Sequence, residues 1–129
     1  MNYLTPEQVL FLHARLIDET GGSHGVRDLG LLLSDLARLQ AVFEGKDIYP
    51  NLFSKAAALM HSLVKNHPFL DGNKRTGIAV AGIFLQLNGY PLATNAGELQ
   101  RFTLAVAQGQ TTLEDMAGWF RHQSKPLAM

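Results

Sequence analysis

The sequence predicts an all-α fold, six helices arranged around one buried central helix, and three observations carry that prediction. Helix-capping signals recur ahead of segments whose apolar residues repeat at three- and four-residue spacing. The connections between these segments are mostly short, with Gly, Pro and Asn at the breaks. One segment, residues 77–85, has no polar side chain at all and so no face to turn to water. The 129 residues fit a single domain, 1–129, and 47% hydrophobic against 17% charged residues describes a packed globule rather than a disordered chain.

The elements follow in order. Thr5-Pro6-Glu7-Gln8 joins an N-cap threonine, a proline at the first helical position and a glutamine that closes a capping box. Val9, Leu12 and Leu16, with Leu10 and Ile17, continue at helical spacing until Gly21-Gly22 stops the first helix. Asp28 caps a second helix with Leu29, Leu32, Leu33, Leu36 and Leu39 on one stripe, and Gly45 ends it. Residues 46–51 carry turn formers with Ile48 and Tyr49 and read as a loop or a short hairpin. A third, alanine-rich helix spans about 52–66 and closes at His67-Pro68, where the proline disfavours the α region and predicts an extended His67. The fourth opens near Asn73 and ends at Asn88-Gly89; its apolar run makes it the expected central helix, with Gly77 and Gly82 permitting close neighbours. Helices five and six are expected over roughly 96–108 and 112–123.

Composition excludes several classes of function. Eleven Lys and Arg balance eleven Asp and Glu, so no net field advertises nucleic acid or an anionic membrane. Without cysteine there is no disulfide framework, thiolate nucleophile or Cys-based metal site. The apolar run is far shorter than the ~18–20 residues of a membrane span. The start shows no basic stretch followed by an apolar run, so a cytoplasmic protein is expected.

Chemistry concentrates in His67-Pro68-Phe69-Leu70-Asp71-Gly72-Asn73-Lys74-Arg75-Thr76. Gly72 permits a tight turn into the fourth helix, whose first amides lack intrahelical partners and carry the positive end of the macrodipole. Lys74 and Arg75 add two full charges there, making an anion site suited to the phosphates of a nucleotide. Asp71 supplies a hard oxygen ligand for Mg²⁺ beside it. His67 offers an imidazole able to take a proton from an attacking hydroxyl. Plainer uses exist for each: His67 as a packing residue, Asp71 or Asn73 as a helix cap, Lys74 and Arg75 as solvated charges. Cations at a helix amino end are nonetheless unfavourable without an anion to meet them. Elsewhere His13 reads as packed on the first helix, His24 and His122 as solvent-facing, and Trp119 and Phe120 as core residues.

This stretch resembles the signature of the Fic/Doc superfamily, His-x-Phe-x-Asp/Glu-Gly/Ala-Asn-Gly/Lys-Arg, matched in order by His67, Phe69, Asp71, Gly72, Asn73, Lys74 and Arg75. The Gly25-Val26-Arg27-Asp28-Leu29-Gly30-Leu31-Leu32 segment, the helix order and the length look like its Doc branch, the toxins of toxin–antitoxin pairs. Adenylyl-transferring relatives carry glycine where this chain has Lys74, and a second arginine where it has Ile78. The resemblance therefore implies a kinase that delivers the γ-phosphate of ATP, with Mg²⁺, to a threonine of elongation factor Tu. Carried over, His67 is the base, Asp71 the metal ligand, and Gly72, Asn73, Lys74 and Arg75 hold the phosphates, with Lys74 and Arg75 also serving catalysis. Phe69 anchors the loop, and the segment 46–51 is either a flap that aligns the target or an ordinary connection. The inhibitory pattern Ser/Thr-x-x-x-Glu-Gly/Asn is not met, since Gln40 precedes Glu44-Gly45. A small Phd-like antitoxin acting in trans is then expected, docking on apolar residues of the first or last helix. Adenylyl transfer from the same site, and a non-catalytic anion-binding module, are the alternatives.

Overall fold

Thr5, Asn51 and Thr112 each close a capping box, and the helices they open are three of the six among the described residues. The computed structural model describes residues 1–127. Its elements are α1 (Pro6–Thr20), α2 (Leu29–Ala37), a 3₁₀ turn (Arg38–Gln40), β1 (Val42–Phe43), β2 (Lys46–Asp47), α3 (Leu52–Asn66), α4 (Asn73–Leu87), α5 (Ala96–Ala107) and α6 (Leu113–Gln123). The all-α class stands, with one short antiparallel hairpin among the described residues.

That hairpin corrects the reading of residues 29–51. Helix α2 stops eight residues before Gly45, and Gly45 is a turn residue rather than a helix end. Val42 pairs with Asp47 and Phe43 with Lys46, closing on Glu44 and Gly45, both at positive φ (51° and 78°). Two successive positive-φ residues are what a two-residue hairpin turn demands. The strand signal thus lay in Val42-Phe43, and the hairpin begins four residues earlier than expected.

The central helix is α3, not α4. Residues 56–60 and 62–64 are buried, and α3 packs along both α4 and α6. Its alanines permit this, since Ala56, Ala57 and Ala58 are fully covered yet hold neighbours close. At the α3–α4 contact Gly77 has no room for a side chain: a Cβ there would lie 2.8 Å from Val64 Cγ2 and 3.4 Å from the Met60 carbonyl. Helix α4 buries only one face, through Val80, Ala81, Phe84 and Leu85. Its opposite face, with Ile78, Gly82 and Ile83, floors an apolar groove of about 560 Å³ walled by Leu16, Leu92 and Leu99. Among the described residues, no helix is long and apolar enough to cross a membrane.

Candidate active site

The loop joining α3 to α4 is built around a backbone conformation that the sequence did not indicate. His67 is left-handed (φ 49°, ψ 59°), not extended. A proline at 68 ends α3 as expected, but the chain reverses at the helix end through a left-handed cap residue. Surrounding bonds hold it there. Arg27 Nε donates to the His67 carbonyl and Arg27 Nη2 to the Asn66 carbonyl, each at 2.6 Å. The Pro68 carbonyl accepts from the N–H groups of Arg27 and Asp28 at 2.8 and 3.0 Å. Leu70 N–H donates to the Gly25 carbonyl, so Val26 and Phe69 face each other as an isolated antiparallel bridge.

Phe69, 1% exposed, pins the loop to the core, and His13 of α1 stacks on its ring at 3.8 Å. Phe69 turns its own N–H and C=O away from the bridge, toward Asn73. There Asn73 Oδ1 accepts from the N–H and Asn73 Nδ2 donates to the C=O, both at 3.0 Å. Asn73 Nδ2 also stands 3.5 Å from His67 Nδ1, at the limit of hydrogen bonding. The buried Asn73 side chain is thereby committed to the loop, and what it leaves for an anion is its backbone N–H. His13 Nε2 donates to the Asp71 carbonyl at 2.8 Å, an acceptor that requires the proton on Nε2. Burial holds His13 below the usual histidine pKa.

Asp71 is held as a carboxylate. Its oxygens accept from Ser23 N–H at 3.0 Å and Gly72 N–H at 2.8 Å, which lower its pKa below the usual range. Gly22 makes room for this contact, because a Cβ there would fall 2.5 Å from Asp71 Oδ2.

Neither Asp71 nor Asn73 caps α4. The cap position is Gly72, left-handed at φ 77°, with no side-chain hydrogen bond to the helix end. The first bond of the helical type joins Thr76 N–H to the Gly72 carbonyl, so the amides of the first turn face outward. Lys74 is exposed beside them. Arg75 leans toward the end of α1, where Nη1 donates to the Gly21 carbonyl at 2.9 Å and to Thr20 Oγ1. His67, Asp71, Gly72, Asn73, Lys74 and Arg75 all line one cleft of about 370 Å³. Thr76 does not: it is fully buried and its hydroxyl has no partner.

Arg27, His13 and Ser23 complete the arrangement, and sequence reasoning gave them no role at this site. The only signal was Arg27's place in the Gly25–Leu32 segment.

A helical bundle that leaves one helix amino end uncapped, lines it with two cations and faces it with an imidazole and a carboxylate is a distinct class of architecture. The chain belongs to the Fic/DOC family, whose sequence model matches residues 3–85. It is similar to Toxin Doc of Mycolicibacterium smegmatis, 53% identical over 75 residues, or 58% of each chain. It is also similar to Protein kinase doc of Escherichia phage P1, 31% identical over 121 residues, or 94% of each chain. The matched region thus spans little more than half of the first relative and nearly all of the second.

Proposed function

We propose that the protein is a Doc-type toxin kinase that moves the γ-phosphate of ATP to a protein hydroxyl, with a threonine of elongation factor Tu as the target. The carrying observation is the convergence of His67, Asp71, Lys74, Arg75 and the open α4 amides on one cleft. The names of the two relatives, a toxin and a protein kinase, support the same reading.

The residues fit a bound magnesium ion. Among the described residues no three His, Asp or Glu side chains gather as a metal cage. Asp71 is a single ionised carboxylate beside an anion cradle, which suits an ion that fills its remaining shell with phosphate oxygens and water. When bound, Mg²⁺ neutralises charge on the phosphates.

The chain's own groups supply the rest. The α4 amides, Lys74 and the outward edge of Arg75 hold the phosphates in line. His67 takes the proton of the attacking hydroxyl as its oxygen bonds to the γ-phosphorus. The bond from that phosphorus to the β–γ bridging oxygen breaks, and ADP leaves. Ile78 lies in the apolar groove beside Lys74 and Arg75, where no second arginine grips the far phosphates. The groove along α1, α4 and α5 supports inhibition by an antitoxin helix laid into it.

The test is label transfer with purified protein and elongation factor Tu. The γ-phosphate of labelled ATP is expected to reach the factor while an α-label stays in solution, and His67→Ala is expected to abolish transfer but retain ATP binding. Transfer of the α-label would instead mean adenylyl transfer, and full activity of His67→Ala would remove the base assignment.

A further inference from the structure

We propose that Arg27 is the positioning residue for His67: its fork sets the left-handed backbone that aims the imidazole into the cleft. The inference rests on the reading of His67 as the base and extends it to a residue that does not line the cleft.

Three successive carbonyls, those of Asn66, His67 and Pro68, are all taken by Arg27. The first two accept from its guanidinium at 2.6 Å each and the third from its own N–H at 2.8 Å. The Asn66 carbonyl lies in the peptide plane before the His67 Cα, and the His67 carbonyl in the plane after it. The angle between those planes is set by the φ and ψ of His67 alone. A rigid planar fork bonded to both planes therefore fixes both dihedrals at once. Some such restraint is needed, because the left-handed region is disfavoured for a residue with a Cβ. His67 and Glu44 are the two non-glycine residues at positive φ among those described, and Glu44 sits in a hairpin turn.

The guanidinium also stands where its charge is favourable. The Asn66 and His67 carbonyls are orphan acceptors at the carboxyl end of α3, the negative end of the helix. Asn66 is fixed from its side chain too, through Nδ2 donating to Asp35 Oδ1 at 2.5 Å. The chain entering His67 is thus anchored, and the one leaving it is pinned by Phe69. Arg27 sets the geometry between the two anchors. Being exposed itself, it adds little to the core, so its loss is expected to act on the loop before the fold.

The experiment compares Arg27→Met and Arg27→Lys with the wild type in two measurements. Backbone ¹⁵N relaxation is expected to show the His67 order parameter in Arg27→Met falling below about 0.6 while the middle of α3 stays rigid. Kinetics are expected to show kcat falling about tenfold to 10²-fold with KM for ATP held within about twofold, the mark of a displaced base rather than a damaged cradle. Lysine offers a point charge that reaches one carbonyl, so Arg27→Lys is expected to recover only part of both, and it also serves if Arg27→Met fails to fold. A His67 as rigid in the variant as in the wild type, full recovery by lysine, or a kcat lost in step with ATP affinity would each overturn the proposal. If the wild type transfers no phosphate, the kinase reading falls, and the relaxation measurement alone still decides whether Arg27 orders His67.

Discussion

Replacing Asn73 with alanine separates the role that the family resemblance implies, phosphate holder, from the one that the structure adds, loop clamp. The side chain makes two hydrogen bonds of 3.0 Å to the N–H and C=O of Phe69, a residue 1% exposed. Because Phe69 faces Val26 without using its own amide groups, no strand partner stands ready to replace Asn73. Alanine orphans one donor and one acceptor, each worth roughly 1–3 kcal/mol when left unpaired, so about 2–6 kcal/mol in all. Water entering through the adjacent cleft brings the expected loss toward the lower end, about 2–3 kcal/mol. That is a large part of a typical domain stability of about 5–15 kcal/mol. Urea unfolding measures it as a lower midpoint at unchanged m-value. Asn73→Asp keeps the acceptor but sets an oxygen against the Phe69 carbonyl, and is expected to cost at least as much. A variant of wild-type stability that bound ATP more weakly would refute the clamp and return Asn73 to the phosphates.

Three further outcomes follow from the packing and the buried groups. Gly77→Ala places a methyl 2.8 Å from Val64 Cγ2 with the Met60 carbonyl behind it, and is expected to destabilise by about 1–3 kcal/mol in the same urea assay. Thr76→Val removes a buried hydroxyl that bonds to nothing and is expected to be neutral or to stabilise by up to about 1 kcal/mol, with transfer activity unchanged. Burial lowers the pKa of His13 and, together with the charges of Arg38 and Lys65, that of His61, both from an ordinary 6.5. The unfolded chain then takes up these protons first as pH falls through 6.5, so their contribution is whole above that pH and declines below it. Urea midpoints are expected to drop from about pH 7.5 to about pH 5.5, and a His13→Gln, His61→Gln double variant to flatten that slope.

What could be read in the sequence was what neighbouring residues decide between themselves. Thr5, Asp28 and Thr112 cap helices from side chains three residues away, and Pro68 ends α3 by its ring; both effects act within a turn of chain. The residues lining the cleft were legible for the same reason, since all seven fall between 67 and 75. Contacts between distant segments were not. Arg27 reaches residues 39 and 40 positions away, and His13 meets the Asp71 carbonyl across 58. The apolar run of α4 points to a central helix, but such a run reports that water is excluded without reporting what excludes it. A run of alanines in α3 has lower hydrophobicity but lets helices approach closely enough to surround it.

The amino end of α4 departs from the usual helix start in three ways at once. It has a left-handed glycine in place of a capping side chain, cations in its first turn, and no acidic residue there to offset the dipole. Each departure alone is a modest cost that a neighbour normally offsets. Arg75 is offset, because it satisfies the Gly21 carbonyl at the end of α1. Asp71, the nearest acid in sequence, does not cap the helix, since its oxygens accept from Ser23 and Gly72 N–H. Lys74 and the open amides remain without an internal counterweight among the described residues, on the rim of a cleft whose other wall is His67. Structural economy would have placed a serine or aspartate at position 72 and closed the helix. Under the proposed function the phosphates of ATP supply what the fold leaves out.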